Sequence, residues 1–263
     1  MKTSISILTT LCIWFALSFS SFAQHTKREK TEIDFSFGSR MQMINPYSGK
    51  YKGFSENENY LLFSSSLNIP LMKGWRILLD LSYATDNRKA DNNSLLETAT
   101  IVGGYNPELF YIKSLYKDFD SDMAGVGIGM AYRFKFKRWS VEPRMGVGVL
   151  LFAQDDYYFT AKEKGSYQIY ENRISFEDSY SYVPYLNAGV NINYYLLKDK
   201  FFIGAGINYQ QTLKRSGLKL RKETWWKNED DRENYTEEVE IHKGKLSSTL
   251  DVMVRIGFVF KNH

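Results

Sequence analysis

Along residues 32–43 apolar and polar side chains alternate one for one. Ile33, Phe35, Phe37, Met41 and Met43 fall on one face, and Asp34, Ser36, Gly38, Arg40 and Gln42 on the other. A period of two predicts a β-strand. The alternation returns in seven further segments, 60–69, 75–85, 124–136, 139–153, 182–196, 201–211 and 248–260. It is plainest in 124–136, where Val126, Ile128, Met130, Tyr132, Phe134 and Phe136 alternate with Gly125, Gly127, Gly129, Ala131, Arg133 and Lys135.

The connections alternate as well. Tight turns are expected near Met72-Lys73-Gly74, Lys137-Arg138 and Lys198-Asp199, and long polar loops over 44–59, 86–122, 155–180 and 213–247. An even number of strands with short and long links in turn is the layout of an outer-membrane barrel, short turns inward and long loops outward. The fold expected is therefore all-β: an eight-stranded antiparallel up-and-down transmembrane β-barrel with short periplasmic turns, long extracellular loops and both termini in the periplasm.

A soluble barrel with its apolar face inside shares this alternation. Two features favour lipid outside. The polar face is rich in Gly, Ala, Ser and Asn, which fit a narrow lumen, whereas a water-facing surface carries more Lys and Glu. Aromatic residues also gather at the strand ends, with Trp75, Phe136, Trp139, Tyr194, Phe201, Phe258 and Phe260 at one end and Tyr60, Tyr83, Tyr182 and Tyr209 at the other. Two such girdles mark lipid–water interfaces.

The layout, together with the closing strand VMVRIGFVFKNH, resembles the small eight-stranded outer-membrane barrels typified by the OmpA transmembrane domain and OmpX. The resemblance implies a fold, a location in the bacterial outer membrane and a last strand read by the outer-membrane assembly machinery. This chain differs in running on through Lys261, Asn262 and His263 past the aromatic Phe260.

The first residues, MKTSISILTTLCIWFALSFSSFAQ, join one lysine to an apolar stretch and a small-residue site before Gln24. They read as a cleaved signal peptide over 1–23, leaving 24–263 as a single barrel domain. The one cysteine, Cys12, lies in that segment. Disulfides, thiolate metal sites and cysteine nucleophiles are thereby excluded from the mature chain. The formal charge of +4 is spread without a basic patch, which argues against a nucleic-acid partner. With 18 Phe, 19 Tyr and 5 Trp against 5 Pro, the composition favours strands.

Charged residues on the inner face are the first candidate site. Pairing the first and last strands brings Asp34 to Arg255 and Arg40 to Asp251. Equal steps from the turn at Lys137-Arg138 set Arg133 opposite Glu142, while Asp80 reaches Arg144 across the lumen and Arg76 lies within reach of Glu142. Buried charges must be paired. The cluster reads as a self-neutralising plug that fixes strand register, as a gate or narrow ion path lined by charge, or as a proton-transfer or binding site.

The last loop is expected to extend strands seven and eight as a hairpin folding near Asn228–Asp231. It opposes Leu218 to Ile241, Leu220 to Val239, Lys222 to Glu237, Lys219 to Glu240 and Arg221 to Glu238, with a bulge or bend near Ser216-Gly217 and Lys243-Gly244. Trp225 and Trp226 near its tip form a candidate contact site, unless they pack on neighbouring loops. The third loop reads as a hairpin turning at Lys164-Gly165, and the second as a turn through Gly103-Gly104-Tyr105-Asn106-Pro107 between two short strands.

Acyl transfer or hydrolysis would need a histidine beside a serine and an acid. His25, His242 and His263 all lie off the barrel wall, and only His242, with Glu238, Glu240 and Ser216 nearby, approaches the pattern. No catalytic, cofactor or metal site is expected. The first functional reading is a non-enzymatic barrel with a structural, adhesive or envelope- and secretion-accessory role carried by its loops. Its partners would be outer-membrane lipid, the assembly machinery and an extracellular or envelope protein. The alternatives are a small gated pore or carrier for ions or an apolar ligand, and a lipid-modifying enzyme.

Overall fold

Neighbouring residues on one strand meet opposite environments. Phe35 is 56% exposed and Val254 64%, whereas Asp34 and Arg255 beside them are 1% exposed. Alternation of this sense puts apolar side chains outside and charge inside. The computed structural model describes residues 30–44, 49–54, 59–72, 74–86, 97, 100–106, 108–117, 122–153, 156–176, 180–197, 199–215, 217–227 and 233–260. The signal segment expected over 1–23 lies outside the described residues.

The strands are β1 (Thr31–Ile44), β2 (Asn59–Met72), β3 (Trp75–Asp86), β4 (Phe110–Lys117), β5 (Asp122–Tyr132), β6 (Phe134–Phe136) and β7 (Trp139–Ala153). They continue as β8 (Tyr157–Glu163), β9 (Ile169–Phe176), β10 (Tyr180–Leu196), β11 (Phe201–Thr212), β12 (Gly217–Lys227), β13 (Glu233–Lys243) and β14 (Ser248–Phe260). Antiparallel pairing runs β1-β2-β3-β5-β7-β10-β11-β14 and returns to β1, so the sheet closes on itself. This is an eight-stranded antiparallel transmembrane barrel of the outer-membrane type, with the strands expected from the alternation. The segment expected as one strand over 124–136 is broken at Arg133, whose N–H donates to Gly74 O at 2.8 Å; β6 resumes against β7 beyond the break.

The outer surface carries an apolar band that includes Phe37, Val126, Ile128, Met145, Val147, Ile192, Ile207 and Ile256, all exposed. Side chains of this kind cover themselves in lipid, since leaving them in water forgoes about 25 cal/mol per Å² of apolar area. At the short-turn end, aromatic contacts join Trp75 to Tyr132 (5.2 Å between ring centroids), Trp139 to Tyr194 (4.9 Å) and Phe201 to Phe258 (5.5 Å). At the long-loop end Tyr83, Tyr182 and Tyr209 are exposed. Tyr60, expected in that girdle, is instead buried in the lumen at 3% exposure. Its neighbours Leu61 and Phe63 take the outward positions, and the period of two turns Tyr60 inward.

Inside, glycines make room for large side chains. A Cβ on Gly148 or Gly127 would collide with the Tyr185 ring or hydroxyl, and one on Gly257 with the Phe202 ring. The small residues on the lumen face thus admit a few bulky side chains that cross the barrel.

The long loops build a second sheet, ordered β13-β12-β9-β8-β4 and antiparallel throughout. Its inner face has its own core of Tyr157, Phe159, Ala161, Ile174, Phe176 and Leu220, closed by Val102 and by Tyr51 from a 3-10 turn at Gly49–Phe54. All four long loops therefore contribute. The third loop is the expected hairpin, with Gly165 at φ +80° in its turn. Among the described residues of the second loop, a helical turn stands at 100–102 where a short strand was expected, and β4 is the one strand that forms. The last hairpin does not run on from β11 and β14. Residues 213–215 and 244–247 leave strand geometry, so the break is wider than the bulge expected.

The register of that hairpin also differs from expectation by one residue. Leu218 pairs with His242, Leu220 with Glu240 and Lys222 with Glu238. A one-residue slip exchanges the faces of one strand relative to the other. Leu220 and Glu240 now point inward together, while Val239 and Ile241 face outward and exposed.

Candidate functional site

Five arginines and five carboxylates fill the lumen among the described residues, in three tiers. Nearest the short turns, Arg133 spans two acids: its Nη1 donates to Glu32 Oε1 at 2.7 Å, its Nη2 to the other Glu32 oxygen, and its Nε to Glu142. Ser140 Oγ adds a bond to Glu142 at 3.1 Å. Arg76 stands 3.6 Å from Glu32 and donates to the carbonyls of Lys30 (2.8 Å) and Asn68 (3.3 Å). The expected contact of Arg76 with Glu142 is thus replaced by one with Glu32, which lies at the start of β1.

In the middle tier Arg255 Nη2 donates to Asp34 at 2.7 Å, and Asn68 Nδ2 to the same oxygen at 2.8 Å. Arg144 and Ser66 both donate to Asp80. In the tier nearest the long loops, Arg40 Nε and Nη2 grip the two oxygens of Asp251 at 2.8 and 2.9 Å. That parallel fork is the strongest geometry available to the pair. Between the upper tiers lies a void of about 40 Å³ lined by Arg40, Asp80, Arg144, Tyr185, Asn208 and Asp251, room for on the order of one to three waters.

Glu32 is the lumen residue that sequence reasoning missed. It lies two residues before Asp34, hence on the same face, and extending the alternation one step toward the N-terminus would have found it. With Glu32 included the cluster is neutral, five charges against five.

A second polar group joins the loop sheet to the first loop. Glu240 accepts from Tyr51 Oη (2.5 Å), Lys50 Nζ (2.7 Å) and Lys222 Nζ (2.8 Å), and Lys222 also reaches Glu238 at 2.7 Å. Burial raises the Glu240 carboxyl, but bonds from Lys222, Lys50 and Tyr51 outweigh it and hold the group at about 2. Burial, helped by the bond to Glu240 and its charge, pushes the Tyr51 phenol up to about 12. The His242 ring lies 4.4 Å from that of Tyr51, and burial lowers its imidazole below the ordinary value. Tyr51 was not anticipated, because nothing in the first loop's sequence announces which strand it will meet.

His242 therefore faces an aromatic ring, and its Nε2 has no hydrogen-bond partner among the described residues. Ser216, weighed as its nucleophile, lies outside the described residues. Among the described residues no three His, Asp or Glu gather as a metal site.

Trp225 and Trp226 point to opposite faces of the loop sheet. Trp225 lies on the outer face, 38% exposed, with its ring 5.6 Å from Tyr235. Trp226 turns inward and lies 6.0 Å from Tyr170. They do not form one contact surface. Beneath the sheet a cavity of about 120 Å³ is lined by Phe159, Asn172, Ile174, Lys222, Thr224 and Thr236.

Residues 16–196 match the profile of a family described as "Protein of unknown function (DUF3575)". The chain belongs to this family. No curated protein matches it in sequence. Among solved structures it is similar to a major outer membrane protein from Thermus thermophilus, at 12% identity over 88% of this chain and 98% of that one, with a TM-score of 0.43. It is also similar to Neisserial surface protein A, NspA, at 9% identity over 88% and 96% of the chains, with a TM-score of 0.41. A third likeness is to Ail, the attachment invasion locus protein of Yersinia pestis, at 12% identity over 88% and 99%, with a TM-score of 0.38. The barrel assignment itself rests on the closed strand register and the apolar outer band.

Proposed function

We propose that the protein is a non-enzymatic outer-membrane barrel that holds the loop sheet outside the cell as an interaction surface. What carries this reading is the contrast between the two sheets. The lumen is packed with paired charges around a void of about 40 Å³, whereas three of the long loops fold into one sheet whose core Tyr51 of the first loop completes. Loops with no task seldom bury a shared core, since ordering each residue costs about 1–2 kcal/mol of backbone entropy. In this reading the short turns and both termini face the periplasm. The partners are outer-membrane lipid, the assembly machinery that inserts the barrel, and a protein met by the loop sheet.

The test is single-channel recording of the mature chain refolded into a planar lipid bilayer. Stable insertion without discrete steps is expected, because an ion crossing the lumen would have to part several buried ion pairs. Discrete steps that change with Arg133→Ala or Asp251→Ala would instead establish a gated pore. A chain that stays folded and soluble in water without inserting would overturn the membrane reading as well.

A further inference from the structure

The two edges of the loop sheet are unequal. At one edge β4 has eight residues and a register shift between Ile112 and Ser114. Shortness and irregularity are common ways for a sheet edge to avoid pairing with another chain. At the other edge β13 has eleven residues and pairs with β12 without a shift from Glu233 to Lys243. Among the described residues it has no strand on its far side. Neither proline nor an inserted residue interrupts ENYTEEVEIHK, and its one lysine stands at the end. Among the described residues about 35 Å of regular backbone edge is therefore left without a neighbouring strand.

The side chains of β13 indicate what would fit there, because β12 already shows a neighbour that does. Arg221 of β12 meets Glu237 at 3.2 Å, and Lys222 meets Glu238 and Glu240. Of these acids Glu240 is held by Lys50 and Tyr51 of the first loop, but the Glu238 side chain is 68% exposed even with Lys222 upon it. On the outer face Tyr235, Val239 and Ile241 stand exposed in a row. A second copy of this chain fits poorly, since Glu233, Glu237, Glu238 and Glu240 of two antiparallel β13 strands would share one ribbon, and like charges opposed across strands destabilise it.

We propose that β13 accepts an extended, basic segment of another protein as a sixth strand of the loop sheet. The incoming strand alternates, with Lys or Arg toward Glu238 and apolar side chains over Tyr235, Val239 and Ile241. Backbone hydrogen bonds to the open edge give affinity and the alternate side chains give selectivity. The inference deepens the interaction role proposed above and names the partner class, but its test stands apart from membrane orientation, because both sides of a nanodisc are open to solvent.

The probe is an acetylated nonapeptide of alternating lysine and valine, titrated by fluorescence anisotropy against the full mature chain in nanodiscs. Hydrogen exchange is followed in parallel over residues 233–243. Salt-sensitive binding is expected, with slowed exchange in β13 and affinity at least about tenfold above that of a glutamate–valine peptide. Glu238→Lys should weaken the lysine peptide while leaving the barrel and the Lys222–Glu240 contact in place. A lysine–valine peptide N-methylated at every residue keeps its charge but loses its backbone donors on both edges, and should not bind. Equal binding of the methylated peptide would reduce the site to plain charge attraction and overturn strand addition. So would no binding by the lysine peptide, or slow exchange in the free protein of those β13 amides that do not bond to β12, which would mean that its own chain or a second copy covers the edge.

Discussion

Arg255 donates to Asp34 at 2.7 Å across the seam where the last strand meets the first, and both side chains are almost wholly shielded from solvent. Their strands are in register at Ser36 and Arg255, so the pair is a diagonal contact that closes the barrel. Arg255→Ala would leave Asp34 with Asn68 and Ser36 but no cation. Removing one partner of a buried pair costs about 3–5 kcal/mol. The double variant Asp34→Asn with Arg255→Met should recover most of that loss. Urea unfolding in lipid vesicles checks both, and a single variant as stable as the parent would count against the seam.

Arg133 serves Glu32 and Glu142 at once through different guanidinium nitrogens. A lysine supplies one compact ammonium in place of a planar fork and cannot meet both acids in this geometry. Arg133→Lys should therefore destabilise the barrel by about 1.5–3 kcal/mol, the worth of a hydrogen bond to a charged group. Arg133→Ala should cost more. The same unfolding experiment ranks them, and equal stability of the lysine variant would show that a single positive charge suffices.

The barrel was legible because membrane strands write two signals at once, apolar outside and small or charged inside, at the shortest period a chain can carry. Arg133 and Glu142 could be paired by counting from one turn, and Arg40 and Asp251 by closing the ring. Arg76 escaped that counting because its partner, Glu32, enters from the turnward end of another strand. The last hairpin was harder for a physical reason. Its bases, Lys219, Arg221 and Lys222, and its acids, Glu237, Glu238 and Glu240, occupy both faces of their strands, so slipping the register by one residue still sets opposite charges together. Burial of Leu220 among Tyr157, Phe159 and Ile174 breaks the tie, and those contacts come from another loop. The pairing of β9 with β12 and of β4 with β8 is equally remote in sequence, with no local signal to announce it.

The contact between the first loop and β13 should depend on pH with signs that follow from its three groups. Glu240 is held at about 2 against an ordinary 4.5, so its contribution is complete above that ordinary value and lost as pH falls through about 2. Tyr51 is raised from 10 to about 12, so its contribution is complete below 10 and lost as pH climbs through about 12. His242 is lowered from 6.5 by burial, and its share is present above that value and lost as pH falls through the lowered one. Acidification below neutrality should therefore loosen residues 49–54 through His242 first. Hydrogen exchange in that segment, compared between the parent and His242→Phe, checks the order: the variant should keep its protection at mildly acid pH, and identical profiles would remove His242 from the effect.

Trp225 and Trp226 adjoin in sequence yet answer to different surroundings, because successive side chains on a strand face opposite ways. Trp225 leans on Tyr235 at the outer surface, and Trp226 approaches Tyr170 on the inner face. Iodide added to the protein in vesicles should quench Trp225 more than Trp226, since Trp225 lies on the outer face and Trp226 turns inward, while Trp75 and Trp139 lie at the opposite, short-turn end of the barrel. Trp225→Phe should remove most of the quenchable emission with little change in stability. Trp226→Ala should cost about 1 kcal/mol or more, from the aromatic contact and the area it covers. If the two substitutions removed equal shares of the quenching, both rings would be equally open to solvent, and the inner face of the loop sheet beside Tyr170 would not be covered as the Trp226 contact requires.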